Sequence, residues 1–247
     1  METLTYGQFD KLPALYEDMA NWPFRKEIEM PSVLQALGTL EGKTVLDFGC
    51  GDGTYARILK QLGCRRVVGY DKAIGMLSHA VRRESQAPLD IHYTEDLGSL
   101  AGQFDLVLAV YVPPYAPNKA ALDIMFMEMA SALKPGGRLI TLPIHPNFDP
   151  DPTYYARYGF SLYMRVPHQD GGEVTLKLFH AGFDATVTAW YWSFASLDSA
   201  LTLAGFHDIR HIDPLPSRFT GPRDAPELLR PYLERPHAVI LDCRYAA

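Results

Sequence analysis

Thr44-Val45-Leu46-Asp47-Phe48-Gly49-Cys50-Gly51-Asp52-Gly53 is the stretch on which the reading of this chain turns. Its first five residues have the short pattern of a buried strand, and a glycine cluster ends it. Tyr55–Leu62 then reads as a helix that stops at Gly63. A strand that runs through glycines straight into a helix is the setting in which a backbone approaches a ligand closely. Glycine lacks a Cβ, so it accepts positive φ and leaves room for that approach.

Working outward, strands and helices alternate. Arg66–Tyr70 is a second strand and Ile74–Arg83 the next helix; Ile91–Tyr93 is a weak third strand and Phe104–Val110 a strong fourth. Lys119–Leu133 is a helix that ends at Lys134-Pro135-Gly136-Gly137, a turn taken as structural, and Arg138–Leu142 is a fifth strand. Repeated β–α–β spacing predicts a doubly wound, Rossmann-like α/β fold with a parallel sheet covered on both faces. Upstream, residues 8–21 and 24–37 read as two helices broken at Pro23, forming a cap. Downstream, residues 145–173 read as a long ordered loop, and Val174–Leu178 with Ala185–Trp192 as a hairpin turning at Ala181–Asp184. Ser196–Ala204 is a helix with Ser196 as its N-cap, and Ile209–Ile212 and His237–Cys243 are two late strands. The chain is thus expected to be one domain: a helical cap over 1–40, a core over 41–144, an insertion covering the substrate over 145–195, and the rest of the sheet over 196–247.

Composition narrows the function. The chain has 247 residues and a net charge of −6, which argues against the cationic face that nucleic-acid binding needs. No stretch reaches the roughly 20 apolar residues that span a bilayer. Met1–Asp10 carries acids and no apolar core, so it is not read as a signal peptide, and the expected address is the cytoplasm. Cys50, Cys64 and Cys243 have no metal-ligand spacing, so no metal is expected. A monomer or a homodimer is equally compatible with these features.

Asp71 ends the second strand 24 residues after Asp47, where a carboxylate accepts hydrogen bonds from a ribose diol. Glu95 and Asp96 end the third strand, where an acid accepts from an adenine amino group. Together with the loop and the Lys134–Gly137 turn, these residues resemble the class I S-adenosylmethionine-dependent methyltransferases. The resemblance covers residues 44–142. It implies a seven-stranded sheet whose last strand is antiparallel, and S-adenosylmethionine as the cofactor. It further implies that Asp47, Gly49, Cys50, Gly51 and Gly53 lie against the methionine part and that Asp71, beside Lys72, holds the ribose. Met76 would pack on adenine, with Glu95, Asp96 and Leu97 at its rim and Val110 at the end of the fourth strand. Arg25 and Tyr16 of the cap would close over the cofactor, Arg25 reaching its carboxylate; the alternative is a surface arginine after a helix break.

Phe9-Asp10…Tyr16, Pro23-Phe24-Arg25, Tyr158-Gly159-Phe160 and Leu203-Ala204-Gly205-Phe206 look like the toxoflavin-synthase group, which methylates nitrogen heterocycles in antibiotic biosynthesis. That likeness implies a small azapteridine-type acceptor, with oxygen or carbon acceptors as the alternative. Tyr111 follows the fourth strand on the edge where such folds bind ligands. Trp190 and Trp192 share one face of a strand and can stack on a flat ring or fill core. His145, after the fifth strand, is placed as a general base, though a lone histidine is more often structural.

Overall fold

A computed structural model of the chain describes residues 6–180 and 182–246. Seven strands form one sheet: β1 (Thr44–Phe48), β2 (Arg66–Tyr70), β3 (His92–Thr94), β4 (Phe104–Val110), β5 (Leu133–Leu142), β9 (Phe206–Ile212) and β10 (Ile240–Tyr245). Their order is β3-β2-β1-β4-β5-β10-β9. β1 to β5 are mutually parallel, and β10 enters antiparallel between β5 and β9. The expected doubly wound α/β sheet with an antiparallel last strand is therefore present.

Period-two alternation explains why both faces are covered. Leu46, Phe48, Val68 and Val107 point to one face, where they pack on α5 (Lys119–Ala132) and α6 (Phe194–Leu203). Val45, Val67, Leu106 and Leu108 point to the other, against α2 (Met30–Leu37) and α3 (Thr54–Gln61). α4 (Ile74–Gln86) closes the crossover from β2 to β3.

A second sheet differs from the expected simple hairpin. β6 (Phe160–Tyr163), inside the segment expected to be a loop, pairs with β7 (Glu173–Leu178), which pairs with β8 (Ala185–Trp190). The Pro-, Asp- and Tyr-rich composition hid β6, because Phe160 and Leu162 alternate over only four residues. Ala181 of the expected turn lies outside the described residues.

The cap also differs. Pro13 and Pro23 do not break helices so much as begin them, since proline lacks only an N–H that a first turn leaves unused. α1 runs over Pro13–Met19. A helix then starts at Pro23 and passes through a π turn, Arg25–Glu29, into α2. Pro31 explains the irregularity: it offers no N–H to Glu27, and Arg218 donates to that carbonyl instead at 2.6 Å. The cap and the small sheet share one core, in which Trp22, Phe24, Tyr155, Phe160 and Val187 are buried.

Other boundaries moved by a few residues. β5 begins at Leu133 and so includes Lys134–Gly137, with Gly136 at φ +71°. α6 starts at Phe194, and its N-cap is Ser193, whose hydroxyl accepts from Ser196 N at 3.2 Å. Ser196 instead donates its own hydroxyl to Asp170. α7 (Arg230–Glu234) occupies the proline-rich connection before β10.

Candidate active site

Sheet order reverses between β1 and β4, and a cavity opens at the carboxyl ends of β1, β2 and β4, where open α/β folds bind ligands. Its floor is the glycine loop. Gly49, Gly51 and Gly53 stand at φ +73°, +54° and +81°. Gly49 N and Cys50 N donate to the carbonyl of Tyr70, at 2.7 and 2.9 Å, which ties the loop to β2. A Cβ on Gly53 would meet the Tyr93 hydroxyl at 2.5 Å, whereas one on Gly51 would meet nothing within 4 Å. Gly53 therefore serves packing, while Gly51 borders the open space of the cavity.

Asp71 sits opposite this loop. Its Oδ2 accepts from Gly51 N at 2.7 Å and its Oδ1 from Ala73 N at 2.8 Å, so the carboxylate is held rigidly with lone pairs to spare. Burial pushes its pKa up, against the pull of these N–H groups. Asp47 is buried, and its Oδ2 has no hydrogen-bond partner among the described residues. Burial lifts its pKa to about 8.

The cap supplies the roof. Arg25 places its guanidinium carbon 4.6 Å above the Tyr111 ring; among the described residues the Tyr55 hydroxyl has no hydrogen-bond partner, and Arg25 Nε has only Glu29 Oε2 at 3.5 Å. Tyr16 hydrogen-bonds Tyr115, and Phe9 packs edge-on against Tyr115 at 4.8 Å. Met76 is buried at the wall, with Val110, Cys50 and Val112.

Tyr111 takes φ +57°, a strained conformation for a bulky residue. Its hydroxyl donates to Glu29 Oε1 and lies 3.0 Å from His237 Nε2. The hydroxyl of Tyr232 meets the same Glu29 oxygen and lies 2.7 Å from His237 Nδ1. Glu29, Tyr232 and His237 were not anticipated. One signal was available: Glu29 lies four residues from both Arg25 and Val33, on the buried face of the cap helix.

Of the other expected site residues, several lie elsewhere. Lys72 is exposed and pairs with Glu128 at 3.2 Å. Glu95 and Asp96 are exposed, Asp96 capping its own turn by accepting from Gly98 N, and Leu97 packs on the sheet core; none of the three lines the cavity. Gly53 lies beneath the loop. Trp192 donates its Nε1 to Ala116 O at 3.2 Å inside the core, and Trp190 packs on that core; neither borders the cavity. His145 is buried outside it. Its Nδ1 accepts from Asn147 N at 2.9 Å and its Nε2 faces Asp213 at 3.0 Å, so both nitrogens are engaged structurally.

Among known proteins, residues 45–137 match the methyltransferase-domain family. Ribosomal protein L11 methyltransferase of Burkholderia mallei is 32% identical over 118 residues, 47% of this chain and 37% of that protein. Ubiquinone biosynthesis O-methyltransferase of Coxiella burnetii is 32% identical over 114 residues, 44% of this chain and 47% of that protein. The chain thus spans less than half the length of these curated relatives. An S-adenosylmethionine-dependent methyltransferase structure from Mesorhizobium loti superposes with a TM-score of 0.59 at 21% identity, covering 87% of this chain and 96% of that one. The sheet thus has the fold of solved S-adenosylmethionine-dependent methyltransferases.

Proposed function

We propose that this chain transfers the methyl group of S-adenosylmethionine to a ring nitrogen of a small planar heterocycle of the azapteridine type, as a single domain. The cofactor half of the reading rests on one observation above others. Among the described residues that line the cavity, Asp47 Oδ2 and the Tyr55 hydroxyl are buried without a hydrogen-bond partner, and Arg25 Nε has only a 3.5 Å ion-pair contact with Glu29. A buried polar atom without a partner is costly, and an amino-acid zwitterion supplies what is missing, an ammonium for Asp47 and a carboxylate for Arg25. Asp71 would take the ribose hydroxyls, Gly51 the close backbone approach, and Met76 the adenine. Bound there, the cofactor supplies an electrophilic methyl on a positively charged sulfur.

The acceptor half rests on the wall made by Phe9, Tyr16, Tyr111 and Tyr115, whose rings offer flat apolar contact, with hydroxyls on the three tyrosines. Alignment of acceptor and methyl would supply much of the acceleration, and a roof that excludes water favours a reaction in which charge is neutralised. An O–H acceptor is the second reading, favoured by the buried carboxylate behind Tyr111. Calorimetry with S-adenosylhomocysteine on the wild type and on Asp71→Ala tests the cofactor site: micromolar binding lost in the variant supports it, and no binding by the wild type would sink it. Transfer of labelled methyl to a panel of azapteridines and of phenols then separates the two acceptor classes.

A further inference from the structure

The contacts of Glu29, Tyr111, His237 and Tyr232 close into a ring. Glu29 Oε1 meets both phenols, and each phenol meets one nitrogen of His237. Each of these four contacts needs one proton. The two phenols bring one each and a neutral imidazole brings a third. A fourth, held on Glu29 or on His237, fills the ring and leaves it uncharged; without it the ring carries a single negative charge.

The ring is shielded from solvent except at one member. Glu29 and Tyr232 are 0% exposed and His237 is 6% exposed, while Tyr111 alone borders the cavity. Arg25 Nε lies 3.5 Å from the second oxygen of Glu29, so a fixed positive charge faces the ring and favours its proton-poor state. Tyr55 and Tyr16 face Arg25, Tyr155 faces Tyr232, and His145, three residues past β5, acts on His237 through its charge. Burial pushes the Glu29 carboxyl up and the His237 imidazolium down, which shifts the fourth proton from the imidazole toward the carboxylate. Tyr111, the one ring member that lines the cavity, stands at a strained φ of +57°.

We propose that Tyr111 is the port of a one-proton store built with Glu29, Tyr232 and His237, which takes up the proton that an O–H or N–H acceptor loses on methylation. This rests on the cofactor reading above. The acceptor's bond to hydrogen breaks, its electron pair forms the new bond to the methyl carbon, and the pair of the broken carbon–sulfur bond stays on sulfur. The proton goes to the Tyr111 oxygen as the proton already there moves on to Glu29 or His237, leaving the ring full. Tyr111 is then the catalytic residue, and Glu29, Tyr232 and His237 are positioning residues that act through it. The acceptor class follows: a protic nucleophile, not a thioether or a tertiary amine.

The store can be read without an acceptor. S-Adenosylmethionine and S-adenosylhomocysteine differ by the methyl and its positive charge, which disfavours the fourth proton, so the charged ligand should expel more of it on binding. Calorimetry of both ligands in buffers of different ionisation enthalpy, from pH 5 to 8, counts the protons released. We expect more release with the charged ligand than with the neutral one, and no difference in Glu29→Gln. Tyr232→Phe, which opens the ring without touching the cavity, should shift the pH at which the difference is largest. Equal release by both bound ligands at every pH overturns the store, as does a difference that survives Glu29→Gln or an unshifted profile in Tyr232→Phe. Failure of the wild type to bind either ligand overturns the cofactor reading itself.

Discussion

Gly51 and Gly53 are two residues apart, share a positive φ, and carry opposite burdens. A Cβ at Gly53 collides with the Tyr93 hydroxyl at 2.5 Å and the Ala80 methyl at 3.1 Å, in addition to the backbone strain. Gly53→Ala should therefore lower stability by about 2–4 kcal/mol, the sum of left-handed strain and overpacking. Gly51→Ala meets no protein atom and should cost only about 1–2 kcal/mol of strain. Its methyl would project into the cavity, so it should weaken S-adenosylhomocysteine binding at least tenfold, about 1.4 kcal/mol. Urea unfolding and calorimetry on both variants check this, and wild-type affinity in Gly51→Ala would remove Gly51 from the binding surface. Asp47 adds a pH dependence. With its pKa raised to about 8 by burial, it is largely protonated in the free protein at neutral pH. Pairing with an ammonium requires the carboxylate, so affinity should rise with pH up to about 8, by at most tenfold per unit. A flat profile between pH 6 and 8 would dissociate Asp47 from the ligand, whereas Asp47→Asn should flatten it.

At the scale of elements, Asp105 fastens three strands near their amino ends. Its Oδ2 accepts from Thr44 N and Thr44 Oγ1, both at 2.8 Å, on β1, and its Oδ1 accepts from Lys134 on β5 at 2.6 Å. Burial alone would raise its pKa, but Lys134 and Thr44 outweigh that and hold it down at about 2. A carboxyl depressed from 3.8 to about 2 adds stability that is present above the unfolded pKa and is lost as pH falls through the folded one. Asp105→Asn should thus cost about 1–2 kcal/mol at pH 7, discounted for its partial exposure, and flatten the acid limb between about pH 5 and 2. Urea midpoints across that range measure it; parallel acid limbs in variant and wild type would count against it. The strands Asp105 joins were legible because Leu106-Val107-Leu108-Ala109 is apolar throughout, as a strand covered on both faces must be. The π turn at Arg25–Glu29 was not. Its cause is one missing N–H, at Pro31, together with a donor 187 residues away, Arg218, and local periodicity carries no trace of such a partner. The glycine loop and Asp71 were legible for the opposite reason, since backbone approach and an acid at a strand end are local requirements. Trp190, Trp192 and His145 take the core-filling and structural roles that stood open beside their site roles, because neither a place in a hairpin strand nor one after a strand says which side of the sheet a side chain takes.

The whole molecule packs the helical cap onto the sheet through buried residues such as Ile28, Glu29 and Val33, and a few further interactions close it at the cavity mouth. Asp10 accepts from Gly75 N at 2.8 Å, Glu17 faces His79 at 3.0 Å and Arg83 at 3.5 Å, and Tyr16 bonds Tyr115. All but the last are at least partly solvated. The cap contributes Phe9, Tyr16 and Arg25 to the lining of the cavity. Dissociation should then be limited by cap opening rather than by the contacts at the floor. Partly exposed ion pairs contribute about 0.5–1 kcal/mol each, so Glu17→Ala should speed S-adenosylhomocysteine release about two- to fivefold while leaving the global unfolding midpoint nearly unchanged. Hydrogen exchange of residues 13–19 should slow on ligand binding in the wild type and slow less in the variant. Stopped-flow displacement gives the rate. An unchanged rate, with exchange in α1 indifferent to the ligand, would mean that the cap is part of the fixed wall and that the ligand enters past the carboxyl end of β4.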